Sequence, residues 1–290
     1  MRSLFRPVLV AVAFTALGMG PVSAAERIVS VGGALTEIVY ALGEGDSLVG
    51  VDTTSRYPAE AAALPQVGYN RQISAEGVLS LAPTLVLLTE EAGPPAAIRQ
   101  IADSGVRVVV LPAGDTPEVV GRRVEGVAEA LGEPRRGAQL RERIDDALGR
   151  LRTALAGARE RPRVLVLLAV GQGAPLAGGR NTAADAMVGL AGGTNVVDQY
   201  QGYKPLTPEA AVVLDPQVIV VPDHALQALG GTAALAALPG LRDTTAVRQG
   251  RIVPVDSLAF LGLGPRIAVA ARHLAGELHP GLPLPELAAP

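Results

Sequence analysis

The chain has 290 residues, a formal net charge of −3 and no cysteine, and aromatic residues make up 3% of it. The absence of cysteine excludes disulfides, thiolate metal sites and thiol catalysis. A near-neutral charge without a basic stripe argues against nucleic acid as a partner, and the scarcity of aromatic residues argues against a ligand site walled by many rings.

The N-terminus has the three parts of a secretory signal peptide. Met1–Arg6 is basic, Pro7–Met19 is apolar but short for a membrane span, and Val22-Ser23-Ala24 supplies the small residues of a cleavage site. We therefore expect residues 1–24 to be removed and the mature protein to lie in the periplasm. The 266 residues that remain are ample for two lobes.

Strand and helix patterns alternate along the mature chain, which is typical of an α/β fold. In chain order the patterns predict strand 28–31, helix 36–42, strand 48–51, strand 85–88, helix 96–104, strand 106–111, helix 117–131, helix 135–159, strand 164–170, helix 183–190, strand 218–221, strand 252–255 and helix 266–278. The long helix carries apolar residues at spacings of three and four and connects the two halves. We expect an N-terminal lobe (25–133), a connecting helix (134–160) and a C-terminal lobe (161–290). Each lobe would have a central, mostly parallel sheet flanked by helices, and the rigid connector predicts small lobe movements.

One fifteen-residue pattern occurs in both lobes, beginning at Ser74 and again 133 residues later at Thr207. In each copy a hydroxyl residue suited to cap a helix precedes a glutamate in the first turn, Glu76 or Glu209. A proline then ends the helix, and four apolar residues predict a buried strand. The repetition predicts two similar lobes with a ligand between them.

Familiar catalytic and nucleotide-binding motifs are missing. The turn Gly32-Gly33-Ala34, with Asp52 twenty residues later, superficially suggests a dinucleotide site, but the G-x-G-x-x-G spacing is absent and a tight turn explains the glycines. Hydrolase motifs are absent as well. Surface or capping roles are expected for the three histidines, His224, His273 and His279. Solvated helix and strand edges are expected for four arginines, Arg99, Arg107, Arg122 and Arg123.

The segment 67–74 holds the residues best suited to ligand chemistry. It is expected to be a loop at the carboxyl end of a strand, where α/β sheets bind ligands. Arg71 follows Tyr69 by two residues, and a nearby cation favours a phenolate, which binds ferric iron and serves as a haem ligand in proteins. The alternative is a loop tyrosine that only packs or covers the site.

Four segments share the pattern of one known family: 28–33 with Thr36-Glu37, 67–77, 178–185 and 202–209. On these segments the chain resembles the periplasmic haem-binding proteins of bacterial ABC haem importers, within the class of helical-backbone substrate-binding proteins. The resemblance extends over the whole mature chain. It implies that Tyr69 is the axial ligand of the haem iron with Arg71 near it, and that Glu76 and Glu209 dock onto arginines of the permease dimer in the inner membrane.

Other cleft residues are expected on weaker grounds. Tyr203 and Phe260 are candidate walls because aromatic residues are few, although core packing is the favoured role for Phe260. Arg180 is a candidate partner for a haem propionate.

The resemblance also implies that some members bind two stacked haems through a second-lobe histidine near the strand at 164–170. Because that stretch here continues without histidine through Gly171–Pro175, one haem per monomeric chain is expected. A second haem that no residue of the chain coordinates is the alternative. A ferric siderophore or cobalamin binder of the same fold stays open as the alternative. An enzyme would need an acid–base pair or nucleophile that the sequence does not offer.

Overall fold

The structure is a computed structural model that describes residues 26–170 and 173–290, so the predicted signal peptide lies outside the described residues. The predicted α/β fold with two similar lobes and a connecting helix is confirmed. Within the described part of the chain, no helix combines the length and the apolar character needed to cross a membrane.

The N-terminal lobe is built on a four-stranded sheet. Its elements in chain order are β1 (Ile28–Val31), α1 (Gly33–Ala41), β2 (Leu48–Val51), α2 (Ala59–Ala62), β3 (Gly68–Tyr69), β4 (Gln72–Ile73), α3 (Ala75–Ser80), β5 (Leu85–Thr89), α4 (Pro95–Asp103), β6 (Arg107–Leu111) and α5 (Glu118–Ala130). The sheet has the order β2-β1-β5-β6 and is parallel throughout, while β3 and β4 form a separate antiparallel hairpin.

A single helix leads from this lobe to the next. Helix α6 (Pro134–Leu155) has 22 residues, about 33 Å at 1.5 Å per residue. Its buried residues include Leu140, Ile144 and Leu151, which follow the predicted spacing. The helix packs against α5 and, later in the chain, against the C-terminal helix.

The C-terminal lobe repeats the plan with additions. Its elements are β7 (Arg163–Ala169), β8 (Leu176–Gly178), α7 (Ala183–Leu190), β9 (Thr194–Asn195), β10 (Tyr203–Pro205), α8 (Pro208–Leu214), β11 (Val218–Pro222), α9 (Asp223–Leu229), α10 (Thr232–Ala236), α11 (Thr245–Arg248), β12 (Ile252–Val255), α12 (Ser257–Leu261) and α13 (Ile267–Leu278). The strand order is β10-β8-β7-β11-β12 with β9 beside β7. Strands β8 and β10 are antiparallel to their neighbours, and β7, β9, β11 and β12 are parallel.

The two copies of the repeat adopt the same local structure. The Ser74 hydroxyl accepts a hydrogen bond from the Gly77 amide at 3.0 Å and begins α3. The Thr207 hydroxyl accepts one from the Ala210 amide at 3.2 Å and begins α8. Each helix is followed by a residue with positive φ directly before the proline, Ala82 or Asp215. The strand that follows, β5 or β11, lies in the interior of its sheet, as the repeat predicts.

Three groups of buried side chains form the interior. One packs on the outer face of the N-terminal sheet and one on the outer face of the C-terminal sheet. The third, here called the shared core, includes residues of both lobes and of α6, among them Ile28, Leu140, Val218 and Leu274. Along β5 the odd-numbered leucines pack into the shared core, whereas Val86 and Leu88 pack on the opposite face, as the two-residue period of a strand buried on both sides requires.

Candidate ligand-binding cleft between the lobes

A cavity of about 540 Å³ opens between the lobes and is lined by residues of both. That volume falls in the usual range for small-molecule sites, about 300 to 1,000 Å³. Most of the lining follows the carboxyl ends of strands β1, β2, β5, β6, β11 and β12, the edge at which open parallel sheets bind ligands. The two sheets thus direct their functional loops into one cleft.

The floor on the N-terminal side is the turn between β1 and α1, which Asp52 holds in place. One carboxylate oxygen of the buried Asp52 accepts hydrogen bonds from the Gly32 amide at 3.0 Å and from the Ser55 hydroxyl at 2.7 Å. The other accepts from the Thr54 amide and hydroxyl, at 3.2 and 2.7 Å. A Cβ on Gly33 would lie 2.6 Å from the Thr54 carbonyl oxygen. The glycines therefore serve a tight turn, and Asp52 supports it from below.

Tyr69 lies on a short hairpin instead of the predicted loop. Strands β3 and β4 pair Gly68 with Ile73 and Tyr69 with Gln72, which leaves a two-residue turn. The Gly68 carbonyl accepts from the Thr53 amide at 2.9 Å, and a Cβ on Gly68, whose φ is +110°, would lie 2.7 Å from the Gln72 carbonyl oxygen. The phenol lines the cleft and Tyr69 is 46% exposed. The hairpin thus presents the phenol at the cleft on a fixed backbone.

Arg71 occupies the turn of this hairpin and also lines the cleft. Its Nη2 lies 3.5 Å from Glu91 Oε1, and both side chains are about half exposed, at 60% and 47%. An exposed ion pair of this kind contributes about 1 kcal/mol or less, so Glu91 does not immobilise Arg71. The guanidinium remains available to a ligand in the cleft.

Arg123 is buried, which corrects the expectation that it lies on a solvated helix edge. It is 5% exposed, lines the cleft and donates Nε–H to the Pro112 carbonyl at 3.0 Å. Its Nη1 donates across to the C-terminal lobe, to the Gly262 and Leu263 carbonyls at 3.0 and 3.2 Å. Burial lowers the pKa of Arg123, and the nearby Glu91 and Asp115 oppose that shift.

The sequence did hold a signal for Arg123. Val119 and Val127 are buried on α5, four residues before and after it, so Arg123 interrupts the apolar stripe of an amphipathic helix. A charged residue in that position belongs to the interior and needs a partner there.

Tyr203 lines the cleft from the C-terminal lobe. Burial raises the pKa of its phenol, and hydrogen bonding to the Ala184 amide and the Thr182 hydroxyl opposes the rise. Tyr203 is therefore a half-buried residue of the cleft wall.

Two expected cleft residues lie elsewhere. Phe260 is 1% exposed and packs in the shared core, the role that the sequence favours for it, so it is not a cleft wall. Leu258 and Leu261 of the same helix line the cavity instead. Arg180 is exposed and is not among the cavity-lining residues, and its amide donates to the Tyr200 carbonyl at 2.9 Å. The structure therefore does not support Arg180 as a propionate partner.

His224 lies in the cleft, which the sequence argument missed. It follows β11 near the start of α9, lines the cavity from the C-terminal lobe, and its side chain is 55% exposed. Its position just beyond an apolar strand was the available signal, because residues at that end of a strand face the crevice.

A buried ion pair joins the lobes beside the cleft. Glu37 of α1 accepts hydrogen bonds from Arg266 Nε and Nη2 at 2.9 and 2.6 Å, and the side chains are 2% and 13% exposed. The guanidinium carbon of Arg266 lies 3.7 Å from the centre of the Tyr57 ring. Burial raises the pKa of Glu37, and the hydrogen bonds from Arg266 oppose the rise. Burial lowers the pKa of Arg266, but the bonds to Glu37 outweigh it and the pKa is raised.

Glu76 and Glu209 lie away from the cavity, each in the first turn of its repeat helix. Both side chains are exposed. Their equivalent positions on the two lobes leave both carboxylates accessible to a partner.

The chain is similar to proteins of one family over most of its length. The family model described as periplasmic binding protein matches residues 28–258. The structure of the periplasmic heme-binding protein RhuT from Roseiflexus sp. RS-1 in apo form is 40% identical, has a TM-score of 0.86, and the match covers 88% of this chain and 98% of that chain. The structure of the periplasmic heme-binding protein BhuT in complex with two hemes is 42% identical with a TM-score of 0.82, over 88% and 100% of the chains. A vitamin B12-binding protein of Yersinia pestis (strain Pestoides F) is 28% identical over 89% of this chain and 88% of its own length.

Proposed function

The chain belongs to the periplasmic binding protein family, and from this premise we propose that it captures ferric haem in the cleft between its lobes and delivers it to an ABC importer of the inner membrane. The two heme-binding relatives, at 40% and 42% identity, favour haem as the ligand. The role is binding and transport without catalysis, by a monomeric protein secreted through its cleavable signal peptide.

The position of Tyr69 is the observation that carries the proposal. Its phenol lines the cleft and sits on a hairpin that main-chain hydrogen bonds attach to its surroundings. A phenolate oxygen is a hard ligand suited to ferric iron, and a backbone already ordered before binding avoids part of the entropy cost of capture. We assign Tyr69 as the axial ligand of the haem iron.

Arg71 supports that ligand by its charge. It lies two residues from Tyr69 at the same cleft, and a neighbouring cation favours the charged form of a phenol. Tyr203, whose pKa burial raises, is less suited to become a phenolate. The two cleft tyrosines thus have separate roles, Tyr69 as ligand and Tyr203 as wall.

Cobalamin or a ferric siderophore in the same cleft is the alternative. The similarity to a vitamin B12-binding protein favours cobalamin. The cavity lining argues against cobalamin, because among the described residues that line it only Tyr69 and Tyr203 are Phe, Tyr or Trp. A corrin held between aromatic walls would find few of them here.

Absorbance titration of the purified protein with haemin and with cyanocobalamin tests the choice of ligand. Haemin is expected to bind with a phenolate-to-ferric charge-transfer band, and Tyr69→Phe is expected to remove that band because the ring stays while its oxygen is lost. Tyr203→Phe is the matched control and should keep the band. Arg71→Ala should weaken binding less than Tyr69→Phe, because it removes a charge and leaves the bond to iron. An unchanged spectrum in Tyr69→Phe would contradict the assignment.

Glu76 and Glu209 are proposed as the docking residues for the two permease subunits. They are exposed at equivalent positions of the two lobes, so a two-fold permease could receive both at once. Charged residues at an interface rim mainly set the association rate and orientation.

A further inference from the structure

Arg123 is a buried cation without a carboxylate partner, and this sets it apart from the other arginines of the cleft. Arg56 is exposed, and Arg71 pairs with Glu91 and is 60% exposed. Arg123 is 5% exposed, and among the described residues no carboxylate oxygen lies within 4.0 Å of its guanidinium nitrogens. Glu91 and Asp115 act on this charge only from a longer distance. A buried charge without an anion in direct contact is costly, so the Arg123 guanidinium at a ligand cavity indicates an anionic partner.

The hydrogen bonds of Arg123 leave one nitrogen free for that partner. Nε and Nη1 donate to the carbonyls of Pro112, Gly262 and Leu263. Nη2 donates to no acceptor within the described ranges. Nη2 is also partly accessible, because it is absent from the fully buried side-chain atoms that lack a hydrogen-bond partner. Because Arg123 lines the cavity, Nη2 is the part of the guanidinium open toward a ligand.

We infer that Arg123 is the residue of this cleft that recognises a carboxylate of the ligand, and that it makes the site selective for carboxylate-bearing tetrapyrroles over their neutral esters. The inference rests on the proposed function, which makes the ligand a porphyrin. Two donors remain on Nη2, and hydrogen bonds between charged groups are short and strong. Three carbonyls fix the guanidinium, one from the N-terminal lobe and two from the C-terminal lobe, so the carboxylate would be bound at the seam between the lobes.

Paired titrations with haemin and haemin dimethyl ester test this selectivity. Arg123→Gln should weaken haemin binding by about 10- to 100-fold, the range for losing hydrogen bonds to a charged group. It should change binding of the dimethyl ester by less than about threefold, since the ester offers no charge to lose. Arg122→Gln, which changes the exposed neighbouring arginine outside the cavity lining, is the control and should leave the ratio of the two affinities unchanged.

Loss of haemin and ester binding in equal measure would show that Arg123 only supports the fold and would overturn the inference. So would equal affinities of the unaltered protein for the two ligands. If Arg123→Gln fails to fold, Arg123→Lys keeps the positive charge without the planar fork, and it should retain a reduced preference for haemin over the ester. The charge-transfer band of Tyr69 tests the proposed function separately from this selectivity. Arg123→Gln saturated with haemin should still show the band, because the bond between Tyr69 and iron does not involve Arg123.

Discussion

Replacing Glu37 by leucine is expected to destabilise the fold by about 3 kcal/mol, because it leaves the Arg266 guanidinium buried without its partner. The side chains are 2% and 13% exposed, so water does little to compensate the charge. Breaking a buried pair from one side costs about 3 to 5 kcal/mol. We place the cost at the lower end, since Asp256 lies 3.8 Å from Arg266 and remains.

Urea unfolding of the ligand-free protein, followed by circular dichroism, measures this cost. For a chain of this size, 3 kcal/mol corresponds to a fall in melting temperature of about 6 to 12 °C. Glu44→Leu is the matched control: Glu44 pairs with Arg136 at 3.1 Å with 31% and 53% exposure, and its loss should cost about 1 kcal/mol or less.

The double variant Glu37→Leu with Arg266→Met tests the reasoning further. The raised pKa of Glu37 reflects the burial cost of its charge, so removing both charges relieves that cost and should restore most of the lost stability. A cost for Glu37→Leu no larger than that of the control would refute the argument. A double variant as unstable as Glu37→Leu alone would show that the loss arises from packing and not from an unpaired charge.

Three further predictions concern stoichiometry, docking and the repeat. Titration with haemin should saturate at one haem per chain, and a break at two that His224→Ala abolishes would contradict it and locate the second site. Glu76→Arg combined with Glu209→Arg should leave haem binding intact and slow haem uptake into vesicles that contain the permease. Normal uptake would contradict the docking role and leave both residues only as favourable first-turn residues of their helices. Thr207→Ala should cost about 1 kcal/mol through loss of the N-cap, whereas Ser80→Ala, an exposed position that caps no helix N-terminus, should cost less in the same urea assay.

Local patterns predicted much of the fold. Strands 28–31, 48–51 and 252–255 and helix 183–190 have the predicted bounds, since short apolar runs and helical spacing are determined by neighbouring residues. The capping roles of Ser74 and Thr207 follow from the same local chemistry.

Features that depend on contacts between distant segments could not be predicted in this way. The Tyr69 hairpin is two residues per strand and depends on amides and carbonyls of other loops. Phe260 kept two candidate roles, cleft wall and core packing, because α12 has five residues, too few for a periodic pattern to show which side faces the core. Arg123 and His224 enter the cleft only because two lobes meet there.

The shared core has a consequence for how this protein unfolds. Its side chains come from β1 and β5, from α6, and from β7, β11 and α13, so neither half of the chain can bury its share of this core without the other. We expect a single calorimetric transition whose enthalpy equals the van't Hoff value, instead of separate melting of two modules. A fragment that ends before α6 or begins after it would expose half of that core and collapse or aggregate instead of folding. We expect haem bound at the seam, as proposed, to raise the melting temperature of the whole molecule at once, because only the complete folded chain would bind it.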